Sequence, residues 1–296
     1  MYQRELPEHT VKRAYASIDG RDRQWQIHYR CAGDGAALVI LHPSPLSGAA
    51  LAPQMEVLAP LARCIAWDTP GYGASDPLPS SFDGDLGLQP YVASLKAFLE
   101  AMGIKQALLY GSATGAQIAI EFARAHDRHC AGLLLENVAV FSEQEIATIT
   151  EGYFPDFAPR ADGGHLADVW DMAQRTTRYF PWQSRDPLAQ RRSAYPAPAI
   201  VNSIARDTLL AGPDYARAYR AAFANERLDT LQAVTVPTRI VLWEDGVLGS
   251  YGERIDSVAL PDNTRVVRAA RGMEARLSAV RDAALELLAM QQGEKI

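Results

Sequence analysis

The sequence predicts an α/β protein: a doubly wound, mostly parallel sheet interrupted by a helical insertion. Three observations carry this. Short, wholly apolar runs recur, such as A-A-L-V-I-L at 36–41, as expected of strands covered on both faces. Stretches of helical length alternate with them, and that order implies parallel strands joined by right-handed crossovers. The alternation stops near residue 140 and returns at V-P-T-R-I-V-L-W.

Taken in order, residues 25–31 alternate in part and read as a strand, and 36–41 as a buried one. Residues 49–61, rich in Leu, Ala and Met, predict a helix. Residues 64–67 form another buried strand, which runs into Asp68 and the turn T-P-G-Y-G. Apolar spacing predicts a helix over 90–102, then a strand at 107–110, a helix at 116–125 and a strand at 132–135. Residues 142–227 hold no convincing strand and are rich in aromatics and arginines, which suggests a helical insertion. Strands at 239–243 and 264–268 and a helix over 276–291 finish the chain. The predicted division is a core of 1–140 and 228–296 with a helical cap at 141–227.

The 296 residues suit one large α/β domain with an insertion, or two ordinary domains. With 48% hydrophobic and 22% charged residues, the balance is that of a globular protein. A net charge of -6, spread along the chain, argues against a nucleic-acid surface. Cys31, Cys64 and Cys130 are odd in number and not spaced as metal ligands, so they read as reduced packing residues. The opening M-Y-Q-R-E-L-P-E-H lacks the apolar segment of a signal peptide, and no run is long enough to span a membrane. These features lead us to expect a cytoplasmic protein with no metal. Monomer and homodimer both stay open.

Four segments stand at strand ends in a telling order: L-H-P-S-P, D-T-P-G-Y-G-A-S-D, Y-G-S-A-T-G-A-Q and V-P-T-R-I-V-L-W-E-D. Together they resemble the α/β-hydrolase superfamily, in its single-chain, helically capped form, over nearly the whole chain. The resemblance implies a nucleophile at the centre of G-x-S-x-G, on a strained strand-to-helix turn. Here the frame is Gly111 to Gly115, and the centre is Ala113, which carries only a methyl group. Ser112 would serve only if the frame slipped by one residue. The general base implied after the last strand would be a histidine; Met273 stands there, after Gly272, and no histidine follows His165. Asp245, beside Glu244, lies near the usual carboxylate position, or else caps its loop.

The resemblance also implies a small-molecule ligand, no cofactor and two backbone donors for an oxyanion, the donors assigned to Thr114 and Ser44. Pro43 replaces the glycine usual after His42, which removes one donor. His42 is either a proton shuttle or a brace for that loop, and bracing is favoured. Asp68, Gly71, Gly73, Ser75 and Asp76 read as turn residues. In the cap, His165, Trp170, Arg175 and Arg178 are candidates for substrate binding, with an arginine favouring an anion.

The expected function is therefore an atypical hydrolase or lyase-like enzyme acting on a carbonyl or ester-type substrate, neutral or anionic. A non-catalytic binding protein and a surface-only interaction protein are the alternatives. An artificial Ser→Ala exchange at 113 would explain one gap and leave Met273 unexplained.

Overall fold

A computed structural model describes residues 10–19, 24–78, 87–191, 198–246, 248 and 250–293. The opening nonapeptide of the sequence reading lies outside them. The strands are β1 (Lys12–Asp19), β2 (Gln24–Ala32), β3 (Ala37–Leu41), β4 (Arg63–Trp67), β5 (Ala107–Ser112), β6 (Cys130–Glu136), β7 (Thr238–Trp243) and β8 (Thr264–Ala269). They form one eight-stranded sheet in the order β1-β2-β4-β3-β5-β6-β7-β8. From β4 to β8 every neighbour is parallel, while β1 and β2 run antiparallel.

The helices are α1 (Ala52–Leu58), α2 (Gln89–Ala101), α3 (Thr114–Ala125), α4 (Glu143–Thr150), α5 (Gly164–Thr176), α6 (Pro198–Ala211), α7 (Arg217–Asn225), α8 (Leu228–Gln232), α9 (Ser250–Glu253) and α10 (Met273–Gln292). The α1 and α10 helices pack on one face of the sheet around Leu38, Ile40 and Leu134. Against the other face lie α2 and α3, around Val39, Leu109 and Leu135. The central strands β3, β5 and β6 therefore meet helices on both sides, which is why they are predominantly apolar.

Two elements differ from expectation. The sequence reading leaves out β1, because K-R-A-Y-A-S-I-D exposes most of one edge and buries only Ala16 and Ile18. The helix expected over 49–61 is shorter: a 3-10 turn at Gly48–Leu51 precedes α1, where Pro53 suits a first helical turn. Between β6 and β7 the described residues form helices joined by irregular loops and contain no strand, apart from a single bridge between Tyr179 and Gln190. This insertion has its own apolar centre, where Val169, Met172 and Ala173 of α5 meet Val201, Ile204 and Ala205 of α6. It is pinned to the sheet layer at Tyr72, whose hydroxyl donates to Tyr215 O at 2.7 Å and accepts from Ala218 N–H at 3.2 Å. Ser47 Oγ adds a bond to the buried Asp207 carboxylate at 2.8 Å.

Cys64 and Cys130 are buried and Cys31 is partly buried, and all three are free thiols. No described helix is long and apolar enough to cross a membrane, and the described residues hold no cluster suited to a metal ion.

Candidate active site

The site starts from an elbow. Every residue of β5 is buried, α3 begins at Thr114, and Ala113 joins them with φ 49° and ψ -113°. Positive φ in a residue with a Cβ is strained, and the surroundings must hold it. They do so through the Ala113 N–H, which donates to Glu136 O at 3.1 Å, and the Ala113 carbonyl, which accepts from Gln117 N–H at 3.1 Å. Both glycines of the frame are sterically required. A Cβ on Gly115 would lie 2.2 Å from Leu41 O, and one on Gly111 would lie 2.6 Å from Ala116 Cα.

Above the elbow is a cavity of about 180 Å³, floored by Ser44, Ala113 and Thr114 and roofed by cap residues including Tyr153, Tyr219 and Arg191. It adjoins a wider cavity of about 790 Å³ over the carboxyl ends of β7 and β8, which reaches the exposed Leu188 and Asp186. Asn137, Phe180, Arg191 and Leu248 line both. Crevices at the carboxyl ends of parallel strands are where α/β sheets receive ligands.

Four polar atoms of residues lining the first cavity are buried without a hydrogen-bond partner: Ser44 Oγ, Thr114 Oγ1, Asn137 Oδ1 and Arg191 Nε. Arg191 is held by its Nη1, which donates to Thr176 O at 3.2 Å, and by its backbone N–H to Arg178 O at 2.7 Å. Burial lowers its pKa, and Arg276 adds repulsion; a guanidinium nevertheless keeps its charge at neutral pH. No described carboxylate lies within ion-pair distance of it. Glu226 also lines this cavity, and burial raises its pKa to about 8, against weaker opposing hydrogen bonds from Ala139 and Gln117. The Tyr153 and Tyr219 hydroxyls bond each other at 2.8 Å, and burial raises the pKa of both phenols.

Behind the elbow, the buried Glu136 carboxylate takes two hydrogen bonds from Arg276, at 2.8 and 2.9 Å, and a third from the Tyr110 hydroxyl. Arg276 also stacks over Trp243, 4.1 Å from the ring centroid. Burial works against its charge, and the Glu136 carboxylate outweighs that, so its pKa rises.

The residues singled out in the sequence are only partly brought together. Ala113, Thr114 and Ser44 line the cavity. His42 does not: its Nε2 accepts from Thr69 N–H at 2.9 Å, which leaves Nδ1 to donate to Pro43 O at 3.1 Å. With both nitrogens used and burial lowering its pKa, the ring is neutral. It links the Thr69 and Pro43 backbones, away from the residues that line the cavity. Ser112 lies off the cavity, with its Oγ accepting from Asn137 Nδ2 at 2.8 Å.

Asp245 accepts from Gly272 N–H at 3.2 Å. This ties the 244–246 loop to the start of α10 as a loop cap. Met273 opens α10 with 53% of its surface exposed. In the cap, His165 accepts from Arg160 N–H at 3.1 Å, and Trp170 is an exposed residue of α5. Arg175 donates to Trp182 O at 3.0 Å and Ser184 O at 2.8 Å and so braces that loop. None of His165, Trp170, Arg175 and Arg178 lines the cavity over Ala113.

The residues missed are Arg191, Glu226, Asn137 and the Glu136–Arg276–Tyr110 cluster. One signal was available: Glu136 is a charge ending the apolar run L-L-L-E.

The family model for the alpha/beta hydrolase fold matches residues 36–180. A probable proline iminopeptidase of Streptomyces coelicolor is 28% identical over 192 residues, 60% of this chain and 56% of that protein. A 2-hydroxy-6-oxo-6-phenylhexa-2,4-dienoate hydrolase of Comamonas testosteroni is 28% identical over 136 residues, 44% of this chain and 46% of that one. The chain thus spans about half the length of the curated relatives it matches. Among solved structures, a bromoperoxidase from Bacillus anthracis superposes with a TM-score of 0.66 at 17% identity, over 96% of this chain and 100% of that one. A thermophilic esterase from Thermogutta terrifontis gives 0.64 at 18%, over 95% and 97%. At such identities the structures speak for fold alone. With the strained elbow, the parallel sheet and the inserted helices in agreement, the chain belongs to the α/β-hydrolase fold superfamily.

Proposed function

We infer that this chain holds a small organic anion, carrying a carbonyl or ester group, between Ala113 and the cap, and that it works without serine-type attack. The observation that carries this is Arg191. Its guanidinium lines the cavity over Ala113 with Nε buried and unpartnered and no described carboxylate within ion-pair distance, Asp245 attracting it only from further off. A buried charge without a counter-charge is costly, so a ligand carboxylate would be strongly favoured there. The dienoate hydrolase among the relatives is named for a carboxylate compound, which agrees with this reading. Thr114, at the N-terminus of α3, and Ser44 supply backbone N–H groups for a second, polarised oxygen. The methyl group at 113 has no electron pair to attack with, and no described histidine lines the cavity to activate a hydroxyl or a water.

Binding of benzoate tests the reading, with benzamide as the uncharged control. Benzoate is expected to bind and raise the melting temperature, benzamide to do neither, and Arg191→Gln to abolish the difference. Equal binding of both probes, or full binding to the variant, would overturn it. A ligand recovered unchanged by mass spectrometry after long incubation favours the second reading, a binding protein without turnover, for which the methyl group of Ala113 is the motive.

A further inference from the structure

Glu226 follows α7, where the chain leaves the helical insertion, and faces the segment by which the chain enters it. Its Oε1 accepts from Ala139 N–H at 2.9 Å, and its backbone carbonyl accepts from Phe141 N–H at 3.4 Å. From α3, the Gln117 side chain also bonds its carboxyl. Asn225 Nδ2 donates to Gln117 Oε1 at 3.0 Å, which leaves the Gln117 amide nitrogen for Glu226. The Tyr219 phenol of α7, paired with Tyr153, completes its side of the cavity. All of these neighbours are neutral. The only cation among the described residues lining this cavity is Arg191, and the only other acidic groups there are the phenols of Tyr153, Tyr179 and Tyr219.

The cavity thus offers an anionic ligand two unlike partners, a guanidinium and a carboxyl group. A carboxyl ionised beside a bound anion would repel it, while a protonated one donates a short, charge-assisted hydrogen bond to it. We propose that Glu226 binds as a carboxylic acid, donating its proton in a hydrogen bond to the ligand's carboxylate while Arg191 supplies the charge, so that the site takes up a monoanionic carboxylate together with one retained proton. The proposal rests on Arg191 being the ligand's counter-charge. Burial, which lifts the Glu226 pKa to about 8, agrees with it. The bound anion lifts that pKa further by linkage.

Calorimetric titration of the whole protein with benzoate, from pH 6 to pH 9 in buffers of differing ionisation enthalpy, tests this. The expected affinity is flat below about pH 7.5 and falls toward ten-fold per pH unit by pH 9, where close to one proton enters with each benzoate. Glu226→Gln, which keeps a donor of the same shape, is expected to bind benzoate with a flat profile and no proton uptake. Binding to the wild type that is independent of pH, or a Glu226→Gln profile that still falls, overturns the proposal. The Arg191→Gln variant separates the two readings. If it loses benzoate while the wild type shows no proton uptake, the anion site stands and the Glu226 role falls. If benzoate binds nowhere in the range, both fall. The wild-type proton count needs no variant, so it decides the matter even if Glu226→Gln is poorly folded.

Discussion

Arg276 reaches from the first turn of α10 to grip both oxygens of Glu136 at the end of β6, 140 positions away in sequence, at 2.8 and 2.9 Å. Glu136 is wholly buried, and its own backbone carbonyl holds the Ala113 N–H. Removing one member of a buried pair leaves an uncompensated charge. Arg276→Leu is therefore expected to destabilise the fold by about 3–5 kcal/mol, measured by urea unfolding. Arg276→Lys should recover only part of it, because one ammonium cannot reproduce a two-pronged contact. A loss in Arg276→Leu no larger than that of an exposed pair would show that water reaches Glu136.

Gly115 lets α3 press against the end of β3. The clash of an added Cβ is with the backbone carbonyl of Leu41, at 2.2 Å, and no rotamer change relieves it. Gly115→Ala is expected to cost more than about 3 kcal/mol or to prevent soluble expression. A folded variant of normal melting temperature would show that the helix can slide away from the sheet.

Ala113→Ser rebuilds the missing hydroxyl at the elbow. No described histidine lines that cavity, so hydrolysis of 4-nitrophenyl acetate is expected to stay close to the uncatalysed rate. Vigorous ester hydrolysis by this variant would place an effective base beside Ala113.

Glu226 links the site to overall stability. Its folded pKa of about 8 lies above the ordinary 4.5, so the folded state holds the proton more tightly than the unfolded chain. The resulting stabilisation is fully present below about pH 4.5 and is lost as the pH rises through about 8, amounting to a few kcal/mol across the window. Glu226→Gln should lack this component, so its melting temperature relative to wild type should climb from pH 5 to pH 8.5. Parallel pH curves for the two proteins would count against a buried, protonated Glu226.

Much of this was legible in the sequence, for local reasons. The runs that became β3, β4 and β5 are wholly apolar because both faces are covered, and the frame from Gly111 to Gly115 marks a turn that only small residues permit. The shape of the elbow follows from five consecutive residues. The polar walls of the cavity do not. The arginine candidates taken from the sequence were Arg175 and Arg178, but the arginine over Ala113 is Arg191, placed by backbone pairing with the 178–180 segment. Glu226 and Gln117 meet across more than a hundred positions, as do Glu136 and Arg276. Contacts of that range leave no periodic trace. The edge strand β1 was missed for the opposite reason: its alternation is real but shallow, since one flank meets no neighbouring strand.

The double hydrogen bond at Tyr72 bears on traffic. Because that hydroxyl clamps the cap at both Tyr215 O and Ala218 N–H, swinging the cap away would break two buried bonds at once. The wide cavity over β7 and β8 shares the side chains of Arg191 and Phe180 with the small one as a common wall, and a shift of either would join them. Exchange with solvent can thus proceed sideways, along the sheet edge, with the roof still fastened. Residence times would then be governed by side-chain rearrangement at that neck, and the Ala218 amide should stay protected from deuterium while ligand comes and goes.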